Sequence, residues 1–292
     1  MFSKINNATL TLNEPLKHHS TLKIGGDAKY FACAKTIDAL LDVLYTCKQH
    51  SLPHKIIGNG SNMLFDDLGY NGAIIQYNDN FKKIKDNKLY ASSGANLSEL
   101  IQYSTQHNLG GLDFAIGVPA QLGGAIVNNL GAYNHEISTY IEHITVLRNK
   151  QIVYLTKNDC DFNYHSSIFQ HNNDIVLSAI FNLPTQDKSA TQAKMVEYIA
   201  KRRSTQPLDL SNAGSVFKRK GSIIPAKLID DAGLKGLQVG DAQVSTKHAG
   251  FIVNLGSATS NDVLQLISLI KQKIYDKYLI KLELEIEYLP FI

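Results

Sequence analysis

Between Gly117 and Tyr133 the chain sets four glycines, one proline and two asparagines around a short apolar core, and no other stretch limits its fold as strongly. Glycine tolerates positive φ and close approach of other groups. At Gly123, Gly124 and Gly131 main-chain N–H groups can therefore face outward. Outward N–H groups of this kind cradle phosphate oxygens. The same composition also suits a tight structural turn feeding a buried helix.

A second glycine-containing turn lies upstream. The apolar residues Ile56 and Ile57 run into Gly58, Asn59, Gly60, Ser61 and Asn62, and Met63, Leu64 and Phe65 are apolar again. Two glycines with small hydroxyl and amide side chains between strands form a nest of donors. The turn leads into no helix and lacks Gly-Lys-Ser/Thr, so neither a Rossmann fingerprint nor a P-loop is indicated. A dinucleotide held by a different backbone arrangement fits better.

With 292 residues there is enough chain for two domains, each with its own core. A net charge of +3, with basic residues spread along the chain, argues against nucleic acid as a partner. No apolar stretch approaches the ~20 residues of a membrane helix, and no signal pattern opens the chain, so a cytoplasmic protein without membrane insertion is expected. Cys33, Cys47 and Cys160 have neither metal-ligand spacing nor an even count, which indicates buried thiols and no metal site.

Periodicity predicts a strand over 29–34, a helix from 37 capped by Thr36, and strands at 55–58, 73–76 and 89–92. Asn96 to Glu99 resembles a capping box, opening a helix that should stop at Gly110-Gly111. Strands follow at 141–147, 151–155 and 175–182. Breaker-rich residues 184–189 mark a domain boundary. Helices are expected over 191–203, from Pro225 to Gly233, and from a Ser260 cap to Tyr278. Residues 281–289 alternate strictly, with Leu282, Leu284, Ile286 and Tyr288 on one face and Glu283, Glu285 and Glu287 on the other.

Three glutamates on one strand face usually form a solvated surface. A chemical role requires a hydroxyl and a cation brought in by another element. Ser215, in the small-residue turn Asn212-Ala213-Gly214-Ser215, and the segment Tyr164-His165-Ser166-Ser167 are the candidate sources.

Seven motifs occur in register: Ser20 to Gly26, Gly58 to Asn62, Gly117 to Tyr133, Arg202 before Gln206-Pro207, Ala213 to Phe217, Ala232 to Gly236 with His248 before Phe251 to Asn254, and Leu282 to Ile286. In this set the chain resembles the UDP-N-acetylenolpyruvoylglucosamine reductases, flavoenzymes of bacterial peptidoglycan precursor synthesis, over nearly its whole length. It is similar to the shorter subgroup, which lacks a tyrosine-bearing loop insertion. The resemblance implies an α+β fold with a two-lobed FAD-binding module of the vanillyl-alcohol-oxidase type over 1–187, its lobes roughly 1–70 and 71–187, and a C-terminal α+β substrate-binding domain over 188–292. It implies noncovalent FAD, NADPH as reductant, UDP-N-acetylglucosamine enolpyruvate as substrate, and a monomer. Gly58, Asn59, Gly60, Ser61, Asn62, Gly117, Pro119, Gly123, Gly124, Asn128, Gly131 and Ala132 would hold the cofactor. Tyr164, Ser167, Arg202, Lys218 and Arg219 would contact the substrate.

Family chemistry delivers hydride from flavin N5 to the enolpyruvyl C3, which leaves negative charge running from C2 into the carboxylate. A proton donor at C2 and a stabiliser of that charge are then required. By resemblance the donor is Ser215 and the partner acid Glu285; periodicity alone does not select Glu285 from Glu283 and Glu287. The charge-stabilising arginine of the family falls at His165, which exchanges a permanently charged fork for a titratable ring. That substitution admits a catalytically weakened flavin- or UDP-sugar-binding relative, or a flavoenzyme with another substrate, as the alternative. Ala120 and Leu130 also depart from the family's usual glycine and alanine, and Arg219-Lys220 replaces Asn-Pro of some members.

Overall fold

The structure is a computed structural model describing residues 5–292. Two compact units emerge, and both are discontinuous in sequence: among the described residues, 5–11, 31–59 and 73–200 form the first, and 12–30, 60–72 and 201–292 the second. A linear division at 187/188 was expected. The physical reason for the difference lies in the packing of short upstream segments against the C-terminal part of the chain, described below.

A four-stranded sheet has the order β1 (Ala8–Pro15), β2 (Asp27–Ala34), β5 (Tyr70–Tyr77), β3 (His54–Ile57). Strands β3 and β5 run parallel, with His54 opposite Ala73. Helix α1 (Ile37–Gln49) begins as expected, the Thr36 hydroxyl accepting from the Ala39 amide. The core of the first unit is a five-stranded antiparallel sheet ordered β11 (Gln151–Thr156), β10 (Ile141–Arg148), β12 (Ile175–Asn182), β7 (Lys88–Ser92), β6 (Lys82–Lys85). Leu89, Ile144 and Phe181 of this sheet are buried with Leu100 of α2 (Leu97–Gln106) and Leu122 and Ile126 of α3 (Leu122–Val127).

Two details of α2 depart from expectation. Asn96 caps it through the Glu99 amide, but the Glu99 carboxylate bonds Lys82 and Asn80 and does not reach back to close a capping box. The helix also ends at Gln106, before the glycine pair, where the His107 amide bonds back to Ser104 and Thr105 carbonyls. A short hairpin of β8 (Gly131–Ala132) and β9 (His135–Glu136) follows α3. Helix α4 (Lys188–Thr205) sets Met195, Tyr198 and Ile199 against this same core, which explains why residues 188–200 join the first unit.

The second unit is a sheet ordered β13 (Ser211–Ser215), β16 (Phe251–Asn254), β15 (Ala242–Val244), β14 (Gln238–Val239), backed by α5 (Pro225–Asp231) and α6 (Ser260–Tyr278). Val216, Phe217, Val244, Ile252, Leu266 and Ile270 bury together, joined by Leu22, Ile24 and Leu64 from the upstream segments. Strand β4 (Met63–Phe65) pairs in parallel with β17 (Glu287–Leu289), and Asn254 donates a side-chain bond to the Leu22 carbonyl. These contacts fold residues 12–30 and 60–72 into the C-terminal unit.

The expected strand over 281–289 is regular only at β17; earlier residues make one bridge, Phe217 to Leu284. The cap of α6 is Thr259, which forms a capping box with Asp262, while Ser260 is the first helical residue and bonds Asp67 through both its amide and its hydroxyl. No helix among the described residues is long and apolar enough to cross a membrane.

Candidate functional site

In the first unit the two glycine-containing turns meet. The Asn59 side-chain amide donates to the Pro119 carbonyl at 3.3 Å, and the Gln76 side-chain amide to the Gly58 carbonyl at 3.1 Å. Gln121 is buried and secures the start of α3, its amide donating to Asn78 Oδ1 at 3.1 Å and to the Gly94 carbonyl at 3.0 Å. Gly117 is exposed at the head of this segment, with φ +79°.

The expected close-approach pair, Gly123 and Gly124, separates into two roles. Gly123 donates to the Ser93 carbonyl at 2.7 Å, and a Cβ on it would stand 3.0 Å from the Ser93 Cβ. Protein packing therefore accounts for that glycine. Gly124 is half-buried inside a helix, and a Cβ built on it meets nothing within 4 Å. Glycine costs about 1 kcal/mol against alanine in a helix interior, so the fold itself supplies no reason for Gly124. A flat group resting on this backbone supplies one.

A network inside the same unit fixes the Tyr164-to-Ser167 segment against α3. Gln170 donates to Asn128 Oδ1 at 2.8 Å and to the His165 carbonyl at 3.2 Å, and Asn128 donates to the Gly124 carbonyl at 3.3 Å. Asn129, fully buried, donates to the Asn163 carbonyl and to Glu136. Ser167 is 1% exposed, and its hydroxyl donates to the Val127 carbonyl at 2.6 Å. The Ser167 hydroxyl thus serves the fold where a substrate contact was expected, and the Asn128 side chain is likewise occupied by protein partners. His165 has φ +48° and packs edge-on to exposed Tyr164 at 4.3 Å between centroids. A Cβ on Gly131 would lie 3.6 Å from His165 Nε2, which sets the imidazole beside the β8 hairpin that contains Ala132.

In the second unit Gly60 has φ +59°, and a Cβ there would collide with the His19 carbonyl. Only glycine fits. None of the main-chain N–H groups of Asn59, Gly60, Ser61 and Asn62 donates to a protein acceptor among the described residues, so the turn is a set of available donors. Those donors fit a pyrophosphate, and in the first unit the bare backbone at Gly124 fits a flat ring, the two kinds of group an FAD carries.

Ser215 ends β13 opposite Phe251, after a register shift at Gly214, whose φ is +77°. The next residue, Val216, donates to the Gly250 carbonyl at 2.9 Å and accepts from the Glu285 amide at 2.8 Å. Lys218 donates its amide to the Glu283 carbonyl. The three glutamates, alike in the sequence pattern, now differ. Glu285 is half-buried in the segment bridged to the chain after Ser215, Glu287 is exposed, and exposed Glu283 is tied to Lys220 at 2.9 Å. Arg219 is exposed, its Nε donating to the Gly221 carbonyl, and Arg202 is half-buried in the last turn of α4.

His248 packs its ring on Phe251, and its Nδ1 accepts from the Gly250 amide at 3.1 Å, which assigns the proton of the neutral ring to Nε2. Burial lowers its pKa, and Lys235 adds to that shift. Burial pushes the Cys47 and Cys160 thiols up to about 11, far from thiolate chemistry at neutral pH. Sequence reading gave no role to Gln121, Asn129 or Gln170. Their signal is tertiary, since each side chain bonds residues brought close only by folding.

Residues 28–150 match the FAD binding domain family, and residues 206–289 match the UDP-N-acetylenolpyruvoylglucosamine reductase C-terminal domain. The UDP-N-acetylenolpyruvoylglucosamine reductase of Clostridium novyi is 40% identical over 273 residues, covering 93% of this chain and 89% of that protein. That of Pseudothermotoga lettingae is 40% identical over 279 residues, covering 95% and 97%. The crystal structure of the Thermus caldophilus UDP-N-acetylenolpyruvylglucosamine reductase superposes with a TM-score of 0.81 at 31% identity, covering 97% of this chain and 99% of that one.

Proposed function

Because the chain belongs to the UDP-N-acetylenolpyruvoylglucosamine reductase family, we propose a division of that family's reaction among its residues. The protein is an FAD-dependent oxidoreductase that reduces UDP-N-acetylglucosamine enolpyruvate to UDP-N-acetylmuramate in peptidoglycan precursor synthesis, with NADPH as reductant. A weakened relative or a different substrate is not favoured, given matches in both families and full-length similarity. We place the enzyme in the cytoplasm as a monomer. We assign FAD binding mainly to 1–187 and substrate binding mainly to 188–292, with His165 acting on the substrate from the first segment.

Bound FAD, once reduced by NADPH, supplies the hydride for the enolpyruvyl C3. The Gly58-to-Asn62 amides hold its pyrophosphate and Gly124 admits its ring. Ser215 Oγ gives its proton to C2 of the substrate, and Glu285 is the partner acid. His165 takes the place of the family arginine in stabilising charge on the pyruvyl carboxylate, while Lys218, Arg219 and Arg202 carry positive charge for the diphosphate and carboxylate.

The observation that carries the acid assignment is a main-chain bond: the Glu285 amide donates to the Val216 carbonyl at 2.8 Å, which holds the half-buried glutamate's main chain against the residue after Ser215. The test is an anaerobic two-stage assay. NADPH should bleach the flavin, and the enolpyruvyl substrate should restore its colour. Ser215→Ala should slow only the second stage, by roughly 10²–10⁴-fold, the range for general acid catalysis. Equal losses in both stages would refute the assignment.

A further inference from the structure

Asn62 ends the donor turn, and its side chain reaches the main chain of the segment that carries Glu285. Its Nδ2 donates to the Glu285 carbonyl at 3.0 Å. Its own carbonyl accepts from the Glu287 amide at 2.9 Å. The Glu285 amide donates to the Val216 carbonyl at 2.8 Å. Both main-chain polar groups of Glu285 are therefore held, the N–H by the residue after Ser215 and the C=O by Asn62. The downstream parallel pairing of Glu287 with Met63, Tyr288 with Leu64 and Leu289 with Phe65 continues the same seam.

Asparagine suits this position because a short amide can donate to a carbonyl across a strand gap while its main chain accepts from the same strand two residues on. A backbone carbonyl stripped of its partner in a half-buried setting must find water or move. Without the Asn62 amide, the main chain of Glu285 is tied through its N–H alone. We propose that Asn62 is a positioning residue, holding Glu285 in place through the carbonyl bond and linking the turn assigned to the cofactor to the segment that bears the partner acid. This rests on the role assigned to Glu285 above. It assigns the Asn62 side chain a duty toward the acid, beside the place among the cofactor-holding residues that the sequence resemblance implied.

The experiment combines Asn62→Asp, which keeps the shape and removes the donor, with Asn62→Ala, Glu285→Gln and the Asn62→Ala/Glu285→Gln double variant. In the holoenzyme, either Asn62 variant should slow the substrate stage by roughly 10²-fold, the cost of small misplacement of a reacting group. The substrate stage should lose far more than FAD affinity or the NADPH stage does, because every Asn62 variant keeps the main-chain N–H assigned to the cofactor and removes only the bond to the Glu285 carbonyl. The double variant should be scarcely slower than Glu285→Gln alone, since Asn62 acts only through Glu285. Hydrogen exchange at the amides of 285–287 should quicken in Asn62→Ala, a readout that does not depend on turnover.

Loss of FAD affinity or of the NADPH stage in parallel would make Asn62 a cofactor ligand and overturn the proposal. Multiplicative losses in the double variant would overturn it as well, as would unchanged substrate-stage rates. If the parent enzyme fails to turn over substrate while exchange at 285–287 still depends on Asn62, the assigned reaction is wrong and the catalytic role of Asn62 falls with it.

Discussion

Replacing Gly124 by alanine separates a glycine kept for the protein from one kept for a ligand. Gly124 lies within α3, and its added Cβ meets no protein atom within 4 Å. In flavin-free protein the change should therefore be neutral or stabilising, by up to about 1 kcal/mol of helix propensity. With FAD resting on that backbone, the same methyl enters the space of the ligand. An extra methylene in a packed contact costs about 1–3 kcal/mol, which weakens binding by roughly 5- to 150-fold. Thermal unfolding of the stripped protein and titration by flavin fluorescence measure the two effects separately. Gly60→Ala is the contrast, since at φ +59° its Cβ collides with the His19 carbonyl and the stripped protein itself should melt lower. Reduced stability of stripped Gly124→Ala, or FAD affinity equal to the parent's, would refute the reasoning.

Glu285→Gln should slow the substrate stage by at least about 10²-fold and leave flavin reduction intact, whereas Glu283→Gln, which loses only an exposed pair with Lys220, should leave both stages unchanged; the two-stage assay distinguishes them, and equal effects would remove the distinction drawn from burial. His248 gives a pH signature. Burial holds its pKa below the ordinary value, with Lys235 and Asp230 the charged groups acting on it. As pH falls below about 6.5 the unfolded chain takes up the proton first. Stability should therefore decline with falling pH and level off once the lowered folded-state value is passed. Denaturant titrations across this range should show a shallower decline in His248→Asn, and an unchanged slope would assign the dependence to another group.

Local pattern carried a large part of this fold. The Thr36 cap and the periodicity of 263–270 each depend on neighbours within a few residues, so they are legible in the chain, and so was the donor turn at Gly58 to Asn62. Misplaced details involve competing partners. Glu99 could have closed a capping box, but Lys82 and Asn80 from another element hold it; Ser260 could have been the cap, but Asp67 engages it. The division into units was hidden because residues 12–30 and 60–72 carry no composition mark of belonging to the C-terminal core, which they enter through Leu22, Ile24 and Leu64.

What the sequence determined by itself is the family and its chemistry, because motifs with required residue types, such as the two glycine turns and the segment around Ser215, are local. What only the tertiary structure decided is which member of a repeated type does the work. Glu283, Glu285 and Glu287 are equivalent in period, and Gly123 and Gly124 are equivalent in composition. They became distinct when folding placed Lys220 on one glutamate and Val216 and Asn62 on another, and when Ser93 filled the space beside one glycine and left it open beside the other. Burial and hydrogen bonding are properties of neighbours far apart in the chain, and folding alone brings those neighbours together.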